Sequence, residues 1–190
     1  VEAAEREPEE APPSVGELLA VIFSRLVEDG DVVGVGTGCV EVAAGLRLAQ
    51  LTHAPNLSFI MGGTGALNPD AEELPPSVNS ARAISRAEAV LRLEDLFDLE
   101  LKGDLDVMFL SGLQIDRHGN VNLVGVGPWS APRRRGPGSV GLELAPRARR
   151  RVAFFRRHTR QIFVERVDFI SAPGYLPKVI EGGAYWVVTD

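Results

Sequence analysis

Apolar residues between positions 31 and 65 (DVVGVGTGCVEVAAGLRLAQLTHAPNLSFIMGGTG) follow more than one rhythm. Val32, Val33 and Val35 flank Gly34 in one short run, and Phe59, Ile60 and Met61 form another. Between them Val42, Ala43, Leu46 and Ala49 recur at helical spacing. Uninterrupted apolar runs lack the alternation of a strand with one wet face, so both predict strands covered on both sides. With the helix between them they make a β-α-β unit. Each strand runs into glycines, Gly34, Gly36 and Gly38 in the first case and Gly62, Gly63 and Gly65 in the second. Both turns are expected at the carboxyl edge of a parallel sheet, where open α/β folds bind ligands. Glycine there lets backbone N–H groups approach an anion or a developing oxyanion, although tight turning alone also calls for it.

Upstream, residues 1–13 are acidic and lack apolar periodicity, which predicts a disordered leader. Ser14 and Glu17 form a capping-box pattern ahead of a helix that carries Leu18, Leu19, Ile22 and Leu26 inward and closes at Asp29-Gly30. Downstream, residues 66–84 hold three prolines and no clean period, so a long loop is expected to leave the second glycine turn. Ser85 and Glu88 repeat the capping pattern before a helix reaching about Leu99. Further strands are expected at Asp106 to Leu110, Val121 to Val126, Val152 to Phe155, Gln161 to Ile170 and Tyr185 to Thr189. The fold class is α/β: an open, mostly parallel sheet with flanking helices, over residues 14–190 as one domain.

Composition narrows the function. A chain of 190 residues with 45% hydrophobic content can bury a full core. No run is long enough for a membrane span and the start is no signal peptide, so a soluble cytoplasmic protein is expected. One cysteine, Cys39, excludes a disulfide framework and reads as a small residue packed at a helix start rather than a nucleophile. His53, His118 and His158 are too scattered for a metal site. Ten arginines fall between Arg133 and Arg160 against one acid, Glu143, in a chain of net charge −6. Such a segment suits a phosphorylated ligand, an acidic partner, a nucleic-acid backbone or simple solvation. The acidic total and the lack of interleaved aromatics argue against a dedicated nucleic-acid binder.

Other chemistry is excluded by pattern. GVGTGC places Cys39 where a dinucleotide fingerprint needs its third glycine. There is no G-K-[ST], G-x-S-x-G or H-E-x-x-H. Asp116 and His118 lie close enough to suggest an acid–base pair, but DRHGN reads as turn chemistry.

Set together, VVGVGTG (32–38), THAPNLSFI (52–60), ELPPSV (73–78), SGLQIDRHGNVN (111–122), the Gly136-Pro137-Gly138 loop and QIFVERVDFISAPGYL (161–176) resemble the β-type subunit of class I coenzyme A transferases, close to the glutaconate type. The likeness covers residues 15–190 and implies a chain continuing past Asp190. It implies a CoA thioester as substrate, no permanently bound cofactor, and an α-type partner subunit. In the family a glutamate ending the second strand attacks the thioester, with oxyanion stabilisation by glycine turns. Here that glutamate should fall at Gly62 or Gly63, and it is absent. HTRQIFVERVDFIS (158–171) is similar to the hydrolytic branch that opens rings of CoA-linked steroid fragments with a carboxylate from the α-type partner.

The expected CoA and oxyanion contacts are Gly36, Thr37 and Gly38 on one turn, Gly62 and Gly63 on the next, and Gly138 on the arginine-flanked loop. Arg133, Arg134 and Arg135 are the phosphate candidates. Asp70, Glu72 and Glu73 are the substitute carboxylates nearest the second turn. A transferase with a displaced nucleophile, a non-catalytic CoA- or partner-binding subunit, and an anion binder remain as alternatives.

Overall fold

A computed structural model describes residues 12–36, 39–69, 80–174 and 183–190. In chain order the elements are α1 (Val15–Ser24), β1 (Val32–Val35), α2 (Val40–Thr52), β2 (Ser58–Met61), β3 (Ala66–Leu67), α3 (Ala81–Ser85), β4 (Ala89–Val90), α4 (Leu93–Lys102), β5 (Val107–Leu110), β6 (Gln114–Asp116), β7 (Val121–Asn122), β8 (Gly125–Val126), β9 (Arg134–Arg135), β10 (Arg150–Phe155), β11 (Phe163–Val164) and β12 (Ala184–Thr189). Seven strands form the central sheet in the order β12-β10-β5-β1-β2-β3-β4. The first five run parallel, while β3 turns back on β2 and β4 on β3. This is the mostly parallel α/β sheet the apolar runs predict.

Strand side chains divide between two layers. Val33, Val35, Val107, Phe109, Val152 and Phe154 join α1 and α2 in one core. Met108, Leu110, Ala153 and Phe155 join the β6–β7 hairpin and residues 142–148 in the other. Because both faces are covered, the strands need no alternation. Phe23 anchors α1 edge-on against Phe109 and Phe154, with ring centroids 5.5 and 5.0 Å apart. Each such pair adds roughly 0.5–1.5 kcal/mol beyond burial. At the foot of the sheet Arg150 pairs with Asp31 and Glu28, tying β10 to the α1–β1 loop.

Several boundaries depart from the sequence reading. The Ser14–Glu17 capping box is present, but α1 turns Leu19 and Phe23 inward and leaves Leu18 and Ile22 exposed. Ser85 caps nothing: it ends α3, whose cap is Ser80, and the next helix starts at an Arg92–Asp95 box instead. Residues 66–69 are not loop throughout, since Ala66–Leu67 pairs with β2. The strand expected over Val121 to Val126 breaks into β7 and β8, because the buried Asn122 side chain bonds Gln114 and the Gly125 carbonyl. The strand expected from Gln161 to Ile170 is only β11. Beyond it the Val167 and Asp168 N–H groups turn to the side chains of Asp116 and Gln114. Residues 1–11 of the expected leader lie outside the described residues.

Candidate active site

β1 and β5 are neighbours whose onward connections leave in opposite directions, β1 toward β2 and β5 toward β10. Such a switch point opens a crevice at the carboxyl ends of the two strands. Gly36 stands in it, donating its N–H to the Phe109 carbonyl at 2.9 Å. Gly62 follows β2 one strand away and donates to the Val35 carbonyl at 2.8 Å.

A cavity of about 120 Å³ extends from this edge beneath α4. Its lining includes Gly36 and Gly62, and Gly138 arrives from the loop of residues 136–141. Three glycines singled out on separate turns are thus brought to one place. Gly34 leaves room for the floor: a β-carbon there would stand 2.7 Å from the Met108 sulfur and 2.9 Å from Leu105. The walls are otherwise apolar, formed largely by Leu93, Leu96, Phe97 and Leu99 of α4 with Leu123 and Leu142. Gly62, Pro137 and Val140 are exposed, so the cavity opens at the sheet edge.

Three of the expected N–H donors are already engaged within the chain. Gly36 and Gly62 use theirs in the sheet, and Gly138 donates to the Leu123 carbonyl at 3.2 Å. What Gly36 and Gly62 supply is space, since a β-carbon on either would lie 2.9 Å from a strand carbonyl. Gly138 supplies a backbone φ of 107°, a value that side-chain-bearing residues avoid. Gly63 is exposed on the turn after β2. Thr37, Gly38, Asp70, Glu72 and Glu73 lie outside the described residues.

One carboxylate in the cavity escaped the sequence reading. Glu100 lines it from α4, and its Oε2 is buried without a hydrogen-bond partner among the described residues. Burial and then the nearby charge of Glu143 push its carboxyl up to about 7. Gly141, at φ 82°, crosses over it: a β-carbon there would lie 3.6 and 3.8 Å from the two carboxylate oxygens. The sequence signal was positional. Leu93, Leu96, Phe97 and residue 100 fall on one helical stripe, and Glu100 occupies the place of an apolar residue.

The arginine segment is split. Arg134 and Arg135 form β9, and the Arg135 guanidinium lies 4.8 Å from the centre of the Trp129 ring. Trp129 in turn meets Phe169 edge-on. Gly127 curls against Arg133. A second cavity, about 290 Å³, sits at the carboxyl ends of β5 and β10 and gathers Arg134, Arg156 and Arg157. Arg156 is bound at both ends of its fork by Glu41, at 2.6 and 2.8 Å. The grouping therefore differs from the consecutive trio Arg133–Arg135. In contrast Arg151 is structural: it bonds the Pro173 and Gly174 carbonyls beneath the Tyr185 ring.

Asp116 and His118 form no acid–base pair. The Asp116 carboxylate accepts the backbone N–H groups of His118 and Asn120 and the Asn120 side-chain amide, at 2.9 to 3.1 Å, closing the hairpin. Cys39 is fully buried at the start of α2, and burial drives its thiol pKa upward, away from the reactive thiolate. Among the described residues no helix is long and apolar enough to cross a membrane.

Comparison with known proteins places this arrangement. The family model described as Coenzyme A transferase matches residues 17–183. The 3-oxoadipate CoA-transferase of Pseudomonas knackmussii has a B-type subunit that is 29% identical over 163 residues, 85% of this chain and 62% of that protein. The cholesterol ring-cleaving hydrolase IpdB subunit of Rhodococcus jostii is 32% identical over 141 residues, 74% of this chain and 52% of that protein. The chain thus spans less than two thirds of the length of these curated relatives. The crystal structure of glutaconate coenzyme A-transferase from Acidaminococcus fermentans superposes with a TM-score of 0.79 at 25% identity, covering 93% of this chain and 72% of that one. With the match running through both glycine turns, α4 and the arginine segment, the chain belongs to the coenzyme A transferase family.

Proposed function

We propose that this chain is the B-type subunit of an enzyme that hydrolyses acyl-CoA, completed by an α-type partner. The observation that carries the reading is the convergence of Gly36, Gly62 and Gly138 from three loops on one cavity at the switch point of the sheet. Relatives named as B-type subunits support the partner, and the likeness to a ring-cleaving hydrolase subunit supports a reaction with water rather than transfer, with opening of a ring C–C bond in a CoA-linked substrate as the second reading.

Hydrolysis follows from chemistry as much as likeness. Neither Gly62 nor Gly63 offers a nucleophile, which favours direct attack by water over a glutamyl thioester formed at those two positions. Water then adds to the thioester carbonyl, the C–S bond breaks, and the departing thiolate takes a proton to leave as CoA. The partner supplies the carboxylate that activates water. Glu100, with a carboxyl near 7, is able to hold or release a proton at neutral pH on this side of the cleft. Arg134 and Arg157, exposed at the neighbouring cavity, receive the phosphates.

A thiol-release assay on the copurified pair, with a panel of acyl-CoAs and with or without acetate, tests this. Free CoA without acceptor is expected. Transfer to acetate with no thiol released would mean a transferase and a nucleophile elsewhere, and would overturn hydrolysis.

A further inference from the structure

The cavity beneath α4 is more selective than a generic CoA cleft. Among the described residues its walls are leucine, isoleucine, valine, phenylalanine, methionine, proline and glycine, interrupted by a single carboxyl group. An apolar cavity of about 150 Å³ is known to hold a benzene molecule, so one of about 120 Å³ holds a slightly smaller group, on the order of five heavy atoms. Within it Glu100 Oε2 is buried without a partner among the described residues, a costly state that a ligand oxygen at hydrogen-bond distance would relieve. The opening lies at Gly62 and Val140, on the edge where the thioester is placed above.

Resting on the acyl-CoA reading, we propose that this cavity seats the acyl chain of the thioester and selects a short, mostly apolar acyl group carrying one hydroxyl or keto oxygen, which Glu100 binds. An ionised Glu100 accepts a hydrogen bond from a hydroxyl, and a protonated one donates to a keto group. Long unbranched chains exceed the space. A longer acyl group would have to lie outside, across the exposed Val140.

Calorimetric titration of the copurified complex with free CoA, butyryl-CoA, 3-hydroxybutyryl-CoA and decanoyl-CoA decides the matter. The hydroxylated ester is expected to bind about tenfold tighter than butyryl-CoA, the scale of one hydrogen bond to a buried charged group. Decanoyl-CoA should gain nothing over free CoA. Glu100→Leu should abolish the hydroxyl preference while retaining butyryl-CoA. Val140→Trp, at a position 76% exposed and so harmless to the core, should bring both short esters down to the affinity of free CoA. Equal binding of the two short esters, or tightest binding of the decanoyl ester, would overturn the acyl pocket while leaving CoA recognition intact. Equal loss of all four ligands in Glu100→Leu would do the same. Failure of free CoA and every ester to bind would overturn the acyl-CoA reading and the pocket with it.

Discussion

Gly62 gives its backbone N–H to the Val35 carbonyl at 2.8 Å, and a β-carbon on Gly62 would stand 2.9 Å from that same oxygen. Any side chain there must push the end of β2 away from β1. Gly62→Ala is expected to lower stability to urea by roughly 1–3 kcal/mol, the usual scale for overpacking. A glutamate introduced at this position alone is expected to strain the same contact. A Gly62→Glu chain that melts as high as the parent and gains acyl transfer would contradict this.

Glu100 makes stability depend on pH in a defined direction. Burial, assisted by the charge of Glu143 on the segment packed over α4, raises its carboxyl from an ordinary value of 4.5 to about 7. A raised value means the folded chain holds the proton more tightly than the unfolded one. Its favourable share is therefore complete below about 4.5 and fades as pH climbs through 7. Glu100→Gln should exceed the parent at pH 8 by on the order of 1–2 kcal/mol, allowing for solvent screening, and match it at pH 4. Chemical denaturation at the two pH values checks both arms.

Asp116 behaves in the opposite sense. Burial opposes its charge, yet the Asn120 amide and the backbone N–H groups of His118, Asn120 and Val167 outweigh it, so its carboxyl is held below the usual range. Its contribution is present above the ordinary 3.8 and is lost as acid titrates the lowered group. Asp116→Ala should cost roughly 2–4 kcal/mol at neutral pH, since several donors lose one acceptor. Its folded fraction should retain the parent pH–rate profile. A missing acidic limb in that profile would instead make Asp116 catalytic.

Arg134 and Arg157 predict a split between the two ends of coenzyme A. Replacing both by alanine should weaken CoA by about tenfold to a hundredfold while leaving pantetheine untouched. The loss should shrink as ionic strength rises, because exposed charges are screened. Inhibition constants for CoA and pantetheine at low and high salt give the answer directly.

The central β-α-β unit was legible because its strands are buried on both faces and its helix on one, so composition and burial agree residue by residue. Val33, Val35, Phe59 and Met61 are all essentially sealed from solvent. α1 was harder. Val15, Leu18, Leu19, Val21, Ile22 and Phe23 surround the helix, so periodicity finds a helix but cannot choose its inner face. Phe23 decides it through two aromatic partners that lie far along the chain. At Ser85 the local capping signal lost to long-range pairing, for β4 is held by the ladder to β3. In the site, glycines announced the turns, but their N–H commitments depend on strand neighbours that local pattern does not reveal. Glu100 hid among the acids of LEDLFDLELK, distinguishable only by its place on the apolar stripe.

β5 sits between β1 and β10, so Val107 is flanked by Val33 on one side and Arg150 on the other. During synthesis α1, β1, α2 and β2 can close early as a local unit. The inner edge of β1 then waits, bare and apolar, until β5 emerges, and β5 waits again for β10. Pairing between such distant segments is slow. An uncovered edge meanwhile invites strands from other chains. The arrangement that creates the crevice at the sheet edge therefore also leaves β1 with an uncovered edge until the later strands arrive.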